Sequence, residues 1–513
     1  MKRAKHSLSH FKLLTCKMGQ LVPVAWFEAL PGDTIQHATS ALIRCAPLVT
    51  PVMHPVQVRF HHWFVPNRLI WSEWQDFITG GESGTAVPTH PQINVGTEEP
   101  VSSLSDYLGI NAKTAPFTVT VNALPFRAYQ LIWNEFYRDE DLQTKAVVAT
   151  GSGADTTTSL ALQNVCWEKD YLTSARPWAQ KGAAITLPLG TSVAVKTSSS
   201  QQVTGAQQPL TMRVTTDGSV PVTGSAIGVY GASGQVERGA ASASSSAPLY
   251  PSNLFADLST ATATDINTIR QAFALQRFEE ARARYGSRYT EYLRYLGVRS
   301  SDARLQRPEY LGGGKNVIQF SEVLQSGPSA GGSDVGKMFG HGITATRTNR
   351  YRRFFEEHGI VMTLMSVRPK TMYTERIKRA FFRGIAVGGA AGGMAGNKYD
   401  YWQRELQHIG QQGIANWEAD VSTSPVTTFG FQDRYDEYRR EESSVAGLFR
   451  TTLNTWHLSR EFSSAPALNA TFVSCVPSTR VFQDLTADNL YVMANHSIQA
   501  RRLVAREGTS MTF

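Results

Sequence analysis

The chain has 513 residues, 42% of them hydrophobic and only 18% charged, with a formal net charge of +8. That balance excludes a disordered polyelectrolyte and allows a large buried core, and the mild positive excess permits contact with a polyanion without requiring it. The four cysteines, Cys16, Cys45, Cys166 and Cys475, lie far apart with no C-x-x-C pair, which argues against a zinc site or disulfide framework and for free thiols made in a reducing cytosol.

Residues 1–27 contain Lys2, Arg3, Lys5, Lys12 and Lys17, with no acid before Glu28. They read as a basic N-terminal arm, able to neutralise phosphates along a flexible single strand. His6 and His10 are four apart, but no third metal ligand is in view. No apolar run follows the basic start, and none reaches the roughly 18 residues that span a bilayer, so no membrane insertion is expected. From Val56 to Val65 the pattern alternates, with Val56, Val58, Phe60, His62 and Phe64 on one side, and predicts a strand. His61 and His62 then read as one surface and one core imidazole rather than a catalytic pair. Similar short strands are expected at Phe117–Val121, Ile185–Leu189, Ile360–Val367, Thr471–Val476 and Leu490–Ile498.

The stretch Leu124–Leu142 predicts a helix, with Pro125 in its first turn. Tyr129, Ile132, Trp133 and Phe136 form one packing face, and Arg127, Gln130, Asn134 and Arg138 lie opposite. Residues 188–248 are rich in Ser, Thr, Gly and Ala. They read either as a disordered loop or as a surface-projecting variable insertion. The body is then 28–187 and 249–498, and 499–513 is a basic C-terminal tail carrying Arg501, Arg502 and Arg506. A helix is expected over Asp265–Arg284, capped by Asp265, and a second around Tyr289–Leu296. Gly312-Gly313-Gly314-Lys315-Asn316 is no phosphate loop: Asn316 stands where a Mg²⁺-binding hydroxyl is needed. It and Gly336–Gly342 read as flexible loops.

Two stretches interleave cations with aromatic rings, a pattern that suits phosphates and stacked bases. They are Arg347–Phe355 and Arg376–Arg383; in both, the alternative is core aromatics with arginines bridging subunits. Asp433, Asp436, Glu437, Glu441 and Glu442 alternate with arginines and read as ion-paired surface. No catalytic triad, metal set or cofactor motif is readable, so no enzyme activity, catalytic residue or cofactor is expected.

Several motifs also resemble a known family. Leu124–Leu142 (LPFRAYQLIWNEFYRDEDL) is similar to the "LP-x-RAY-x-x-I-x-NE-x-x-RD" segment of the major capsid proteins of Microviridae, small single-stranded DNA bacteriophages, on the gokushovirus side. Leu30–Thr34, Phe64–Leu69, Tyr171–Trp178, Asp302–Gly313, Phe429–Tyr435 and Trp456–Leu458 match further pieces in the family's order. The resemblance implies a mainly β fold: a single eight-stranded antiparallel jelly-roll barrel with long insertions containing several helices. It implies self-assembly into a T=1 icosahedral shell around circular single-stranded DNA, with an internal scaffolding protein and a minor pilot protein as partners. Assembly is expected in the host bacterial cytoplasm, and the 188–248 insertion becomes a candidate for meeting a host-cell surface receptor. The N-terminal run His10–Val24 and the end after Val481 depart from the family's usual form. Candidate DNA contacts, from charge alone, are Lys2, Arg3, Lys5, Lys12, Lys17, Arg501, Arg502 and Arg506. The alternatives are a jelly-roll carbohydrate-binding protein or hydrolase, and a single-strand DNA binder acting outside a particle.

Overall fold

The computed structural model describes residues 3–82, 85–96, 100–110, 119–182, 194–197, 212–214, 226–230, 235–239, 247–251, 254–257, 266–285, 306–327, 335–383, 401, 411–420 and 427–505. The expected strand at Ile185–Leu189, the second helix around Tyr289, the Asp265 cap, Lys2 and Arg506 lie outside them. The chain forms two compact units, one of residues 1–179 with 283–513 and the other of 180–282. The second unit is thus wider than the 188–248 span that composition marks. It holds a four-stranded antiparallel sheet, a two-stranded ladder of Ala194–Thr197 with Leu254–Asp257, and most of the helix Ile266–Tyr285.

The first unit is built on one curled antiparallel sheet of jelly-roll type. Its strands are β1 (Ala4–Ser7), β2 (His10–Cys16), β3 (Leu21–Ala29), β4 (Thr34–Cys45), β5 (Val56–Pro66), β6 (Glu309–Leu324), β7 (Met338–Arg347), β8 (Tyr351–Phe354), β9 (Gly359–Pro369) and β10 (Leu490–Arg502). Ten strands fill eight positions. β1 and β2 lie end to end along one edge of β10, and β7 and β8 along one edge of β4. The remaining order runs β10, β4, β7, β6, β5, β9, β3. Of residues 1–27, expected as an arm, 4–7, 10–16 and 21–27 are instead strand residues of the sheet. The Gly312–Gly314 and Gly340–Gly342 runs are not loops but lie inside β6 and β7. A Cβ on Gly313 would sit 2.2 Å from the Phe60 carbonyl oxygen, and one on Gly342 would sit 2.8 Å from the Cys45 sulfur. Close approach of neighbouring strands requires glycine there. Thr471–Val476, expected as a strand, begins instead as a short helix, Ala470–Val473, capped by the Asn469 side chain.

Alternation places one face of each strand inside the barrel. Val22, Ile43, Val58, Phe60, Met365 and Val492 are among the residues that fill it. One stretch of the interior is polar. His37, His62 and His496 are fully buried, and the rings of His37 and His62 are 4.6 Å apart. The Thr39 hydroxyl lies 2.9 Å from His496 Nδ1 and 3.1 Å from His37 Nε2. His62 is held by Thr363 and Thr348 at 2.9 and 3.1 Å. Burial, reinforced by the neighbouring imidazoles, pushes His37 down to about 2 and His62 and His496 to about 3.

The helix α1 (Leu124–Phe136) covers the outer face of β3, β9 and β5. Tyr129, Ile132 and Trp133 are buried against Leu21, Trp63, Met362 and Leu364. Phe136 stays 41% exposed, its ring 4.1 Å from that of Trp63. The opposite side is not a solvent face. Arg127, Gln130 and Asn134 are buried too, because the segment 146–161 wraps over them. Gln130 donates to the carbonyls of Ser159 and Ala161, and Asn134 exchanges two hydrogen bonds with Ala146. Arg127 pairs with Asp155 at 2.8 Å, both side chains essentially out of solvent, and donates to the carbonyls of Ile70 and Gly151. Burial raises the Asp155 carboxyl, but hydrogen bonds from Thr158, Arg127 and Thr157 outweigh it and hold the group below its usual range.

Two outcomes follow. Arg127→Ala strands Asp155 in the interior and should cost about 3–5 kcal/mol in denaturant unfolding, more than the R127A/D155A double variant. The three interior imidazoles are neutral in the fold but titrate near 6.5 when unfolded, so stability is full above that value and falls as pH drops through it. At pH 5 the loss should be about 2 kcal/mol per ring, and His62→Gln should flatten the acid limb of a melting curve even if it lowers stability at neutral pH.

Candidate nucleic-acid interface

At one end of the sheet β1, β10, β4 and β8 lie side by side. Lys5 is opposite Arg501, Arg501 opposite Thr34, and Thr34 opposite Phe354. Two residues along, Gln499 is opposite Gln36 and Gln36 opposite Arg352. The same alternation that sends Ile35, Ile498 and Ala500 inward sends these polar side chains outward. Arg3 joins them, its guanidinium 5.1 Å from the centre of the Phe354 ring. Together they line a cleft of about 720 Å³. Arg3, Lys5, Arg352 and Arg501 are exposed, and no carboxylate lines the cleft. Four fixed cations around polar amides suit phosphate oxygens, which guanidinium groups can bind in pairs of hydrogen bonds. Its cations suit contact with the phosphate backbone, which carries no sequence information.

The cleft brings together Arg3, Lys5 and Arg501 from the two chain ends. It adds Arg352, which the sequence places in a separate aromatic cluster; pairing of β8 with β4 unites them, a long-range contact that no local pattern announces. Arg502 faces the other way, its Nε 2.9 Å from the buried Asp33 carboxylate. Lys12 turns inward, bonding the carbonyls of Pro23 and Tyr107. Burial pushes its ammonium down to about 8, against the pull of Asp106. Lys17 is exposed just past the other end of β2, far along the strand from the cleft.

Arg347 and Arg352 apart, much of the two cation–aromatic clusters is committed within the chain. In Arg347–Phe355, Tyr351 and Phe355 are core, and Arg353 pairs with Glu309 at 2.9 Å. In Arg376–Arg383, Arg379 pairs with Glu418 at 3.1 Å, Arg383 with Glu437 at 2.6 Å, Lys378 with Glu441, and Arg376 covers the Tyr171 ring. These arginines therefore bridge segments of one chain. Asp436 pairs with Arg440 at 2.9 Å, in line with the ion-paired reading of that stretch. A second cavity, of about 530 Å³, lies at the C-terminal end of α1. Its Arg59 and Arg368 share the Glu168 carboxylate, and its Lys169 is held by Asp139.

Among the described residues no group of three His, Cys, Asp or Glu side chains could hold a metal ion. His6 and His10 lie on strands, bonding the carbonyls of Val504 and Leu8. The four cysteines are free. Burial raises all four thiols, Cys45 and Cys475 to about 12 and Cys166 to about 11. No helix among the described residues is long and apolar enough to cross a membrane.

The family model described as capsid protein (F protein) matches residues 1–509. Capsid protein VP1 of Bdellovibrio phage phiMH2K is 34% identical, the match covering 92% of this chain and 87% of that protein. Capsid protein VP1 of Chlamydia phage 1 is 32% identical, covering 92% and 89%. Capsid protein VP1 of Spiroplasma virus 4 is 29% identical, covering 91% and 87%. A match over nearly the whole length, on a curled antiparallel sheet, leads to one conclusion: the chain belongs to the capsid protein (F protein) family of microviruses, and its role is structural.

Proposed function

We propose that copies of this chain build a small T=1 icosahedral shell around a circular single-stranded DNA genome, and that the cleft of Arg3, Lys5, Arg352 and Arg501 holds genome phosphates. The observation that carries the DNA contact is a concave surface with four cations and no acid. Such a site binds without reading sequence and is weakened by salt. An internal scaffolding protein and a minor pilot protein are the expected partners in assembly in the host cytoplasm. The unit of residues 180–282 is the candidate for meeting a host-cell receptor, since it is compact by itself and interrupts the barrel-bearing unit. The jelly-roll carbohydrate-binding alternative has no observation of its own beside the three relatives named as capsid proteins.

Electron microscopy of the chain co-expressed with the neighbouring viral genes tests the shell. Uniform icosahedral particles are expected; a soluble small oligomer with its partners present and folded overturns the reading. For the cleft, Arg352→Gln and Arg501→Gln should each lower the slope of log affinity for single-stranded DNA against log salt by about 0.7. An unchanged slope removes the cleft from the genome contact.

A further inference from the structure

The cleft is one end of a larger surface. α1 covers the outer face of β3, β9 and β5, but among the described residues no helix covers the outer face of β2, β10, β4 and β7. Beyond the cleft, Arg347 lies opposite Ser40, and Arg44 lies between Tyr491 and Ile343. Lys315 and Val317 extend the face onto β6, where Gln319 pairs with Ile343. Lys5, Arg501, Arg352, Arg347, Arg44 and Lys315 are all exposed. None of the six forms an ion pair among the described residues, and none of the paired outward positions from Thr34 to Arg44 is acidic. The nearest carboxylate at the far rim, Asp488, is taken by the hydroxyls of Thr15 and Ser102, each at 2.6 Å.

Among these cations and the polar side chains between them, the face carries several exposed apolar residues. Phe11 and Leu13 are 68% and 69% accessible; across the β2–β10 ladder Met493, 43% accessible, is opposite Leu13, and Tyr491, 45% accessible, is one step further along, opposite Thr15. Isolated exposed apolar residues need no explanation, but a contiguous group on an uncovered sheet marks a binding surface. From Thr34 to Arg44 the face is ten residues long, about 33 Å, room for several nucleotides.

We infer that this whole face, and not the cleft alone, is the surface on which single-stranded DNA lies, with unpaired bases stacking on Phe11 and Tyr491 between the cations. Charge decides the occupant. A second copy meeting the face with the same face would set cations against cations, and the core of a protein interface is depleted of unpaired charge. A polyanion with apolar, flat bases satisfies both halves of the surface, as on the stacking platforms of single-strand binders. The inference rests on the capsid reading and deepens it.

The test compares oligothymidylate with an abasic oligonucleotide of equal length, binding to subunits released from purified particles. The wild-type chain should prefer the strand that carries bases. Phe11→Ala and Tyr491→Ala should each weaken oligothymidylate binding roughly five- to 100-fold, leave abasic binding unchanged and leave the salt slope unchanged. Equal affinity for the two strands overturns the stacking. In intact particles, ultraviolet crosslinking should place nucleotides on the peptides that carry Phe11 and Tyr491. Particles that package DNA but crosslink elsewhere, or that join Lys315 to a second copy by an amine-reactive linker, overturn this inference while leaving the shell reading intact. Failure to form particles overturns the shell reading itself.

Discussion

Strand β10 is hydrogen-bonded along both edges, and the rest of the barrel depends on it. One edge pairs with β4 from Leu490–Cys45 to Arg501–Thr34; the other takes β2 and then β1. Residues near 5 and near 500 are thereby adjacent. Closing so long a loop costs chain entropy before any non-local contact repays it, and such topologies fold slowly. The same closure makes the cationic cleft, since Lys5 and Arg501 share a row only because the two chain ends pair.

The sheet has two unlike outer surfaces. Where α1 lies, the helix is clamped from both sides. Aromatic residues fill one interface, and Arg127, Gln130 and Asn134 hold the wrapping segment through main-chain carbonyls. Buried polar groups satisfied in this way fix one geometry, because each alternative leaves a donor or acceptor unpaired. Among the described residues the other outer surface has no such cover, and its exposed side chains are not explained by packing within the fold. That separates structural arginines, paired with Asp155, Glu418 or Glu437, from those that carry no partner and point outward.

How much of this the sequence discloses depends on what lies on the inner face of each strand. β5 is legible because Val56, Val58, Phe60 and Phe64 alternate cleanly. β4 is hidden because its inner positions include His37 and Thr39, members of the interior polar cluster, which blur the hydrophobic period. β6 is hidden by glycines that local rules assign to loops, whereas here they let strands approach. The α1 packing face is legible from spacing. Its polar side is not, since nothing local says that residues 146–161 return to cover it. For the cleft, charge flags both chain ends but cannot show which side of a strand each side chain takes. Arg501 faces out and Arg502 faces Asp33, a difference set entirely by register. Arg352 joins them only through the pairing of β8 with β4.

The four free thiols, three buried and Cys166 half-buried, have a consequence for the chemistry of a capsid subunit at sulfur. Thiol–disulfide exchange proceeds through the thiolate, and Cys45, Cys166 and Cys475 are held at about 11 to 12, largely by burial. At neutral pH almost none of any of them is ionised. Exchange at these sulfurs is therefore slow while the subunit stays folded. Exposure of the three buried sulfurs, and so opening of the fold, rather than the redox state of the medium alone, then governs when they react.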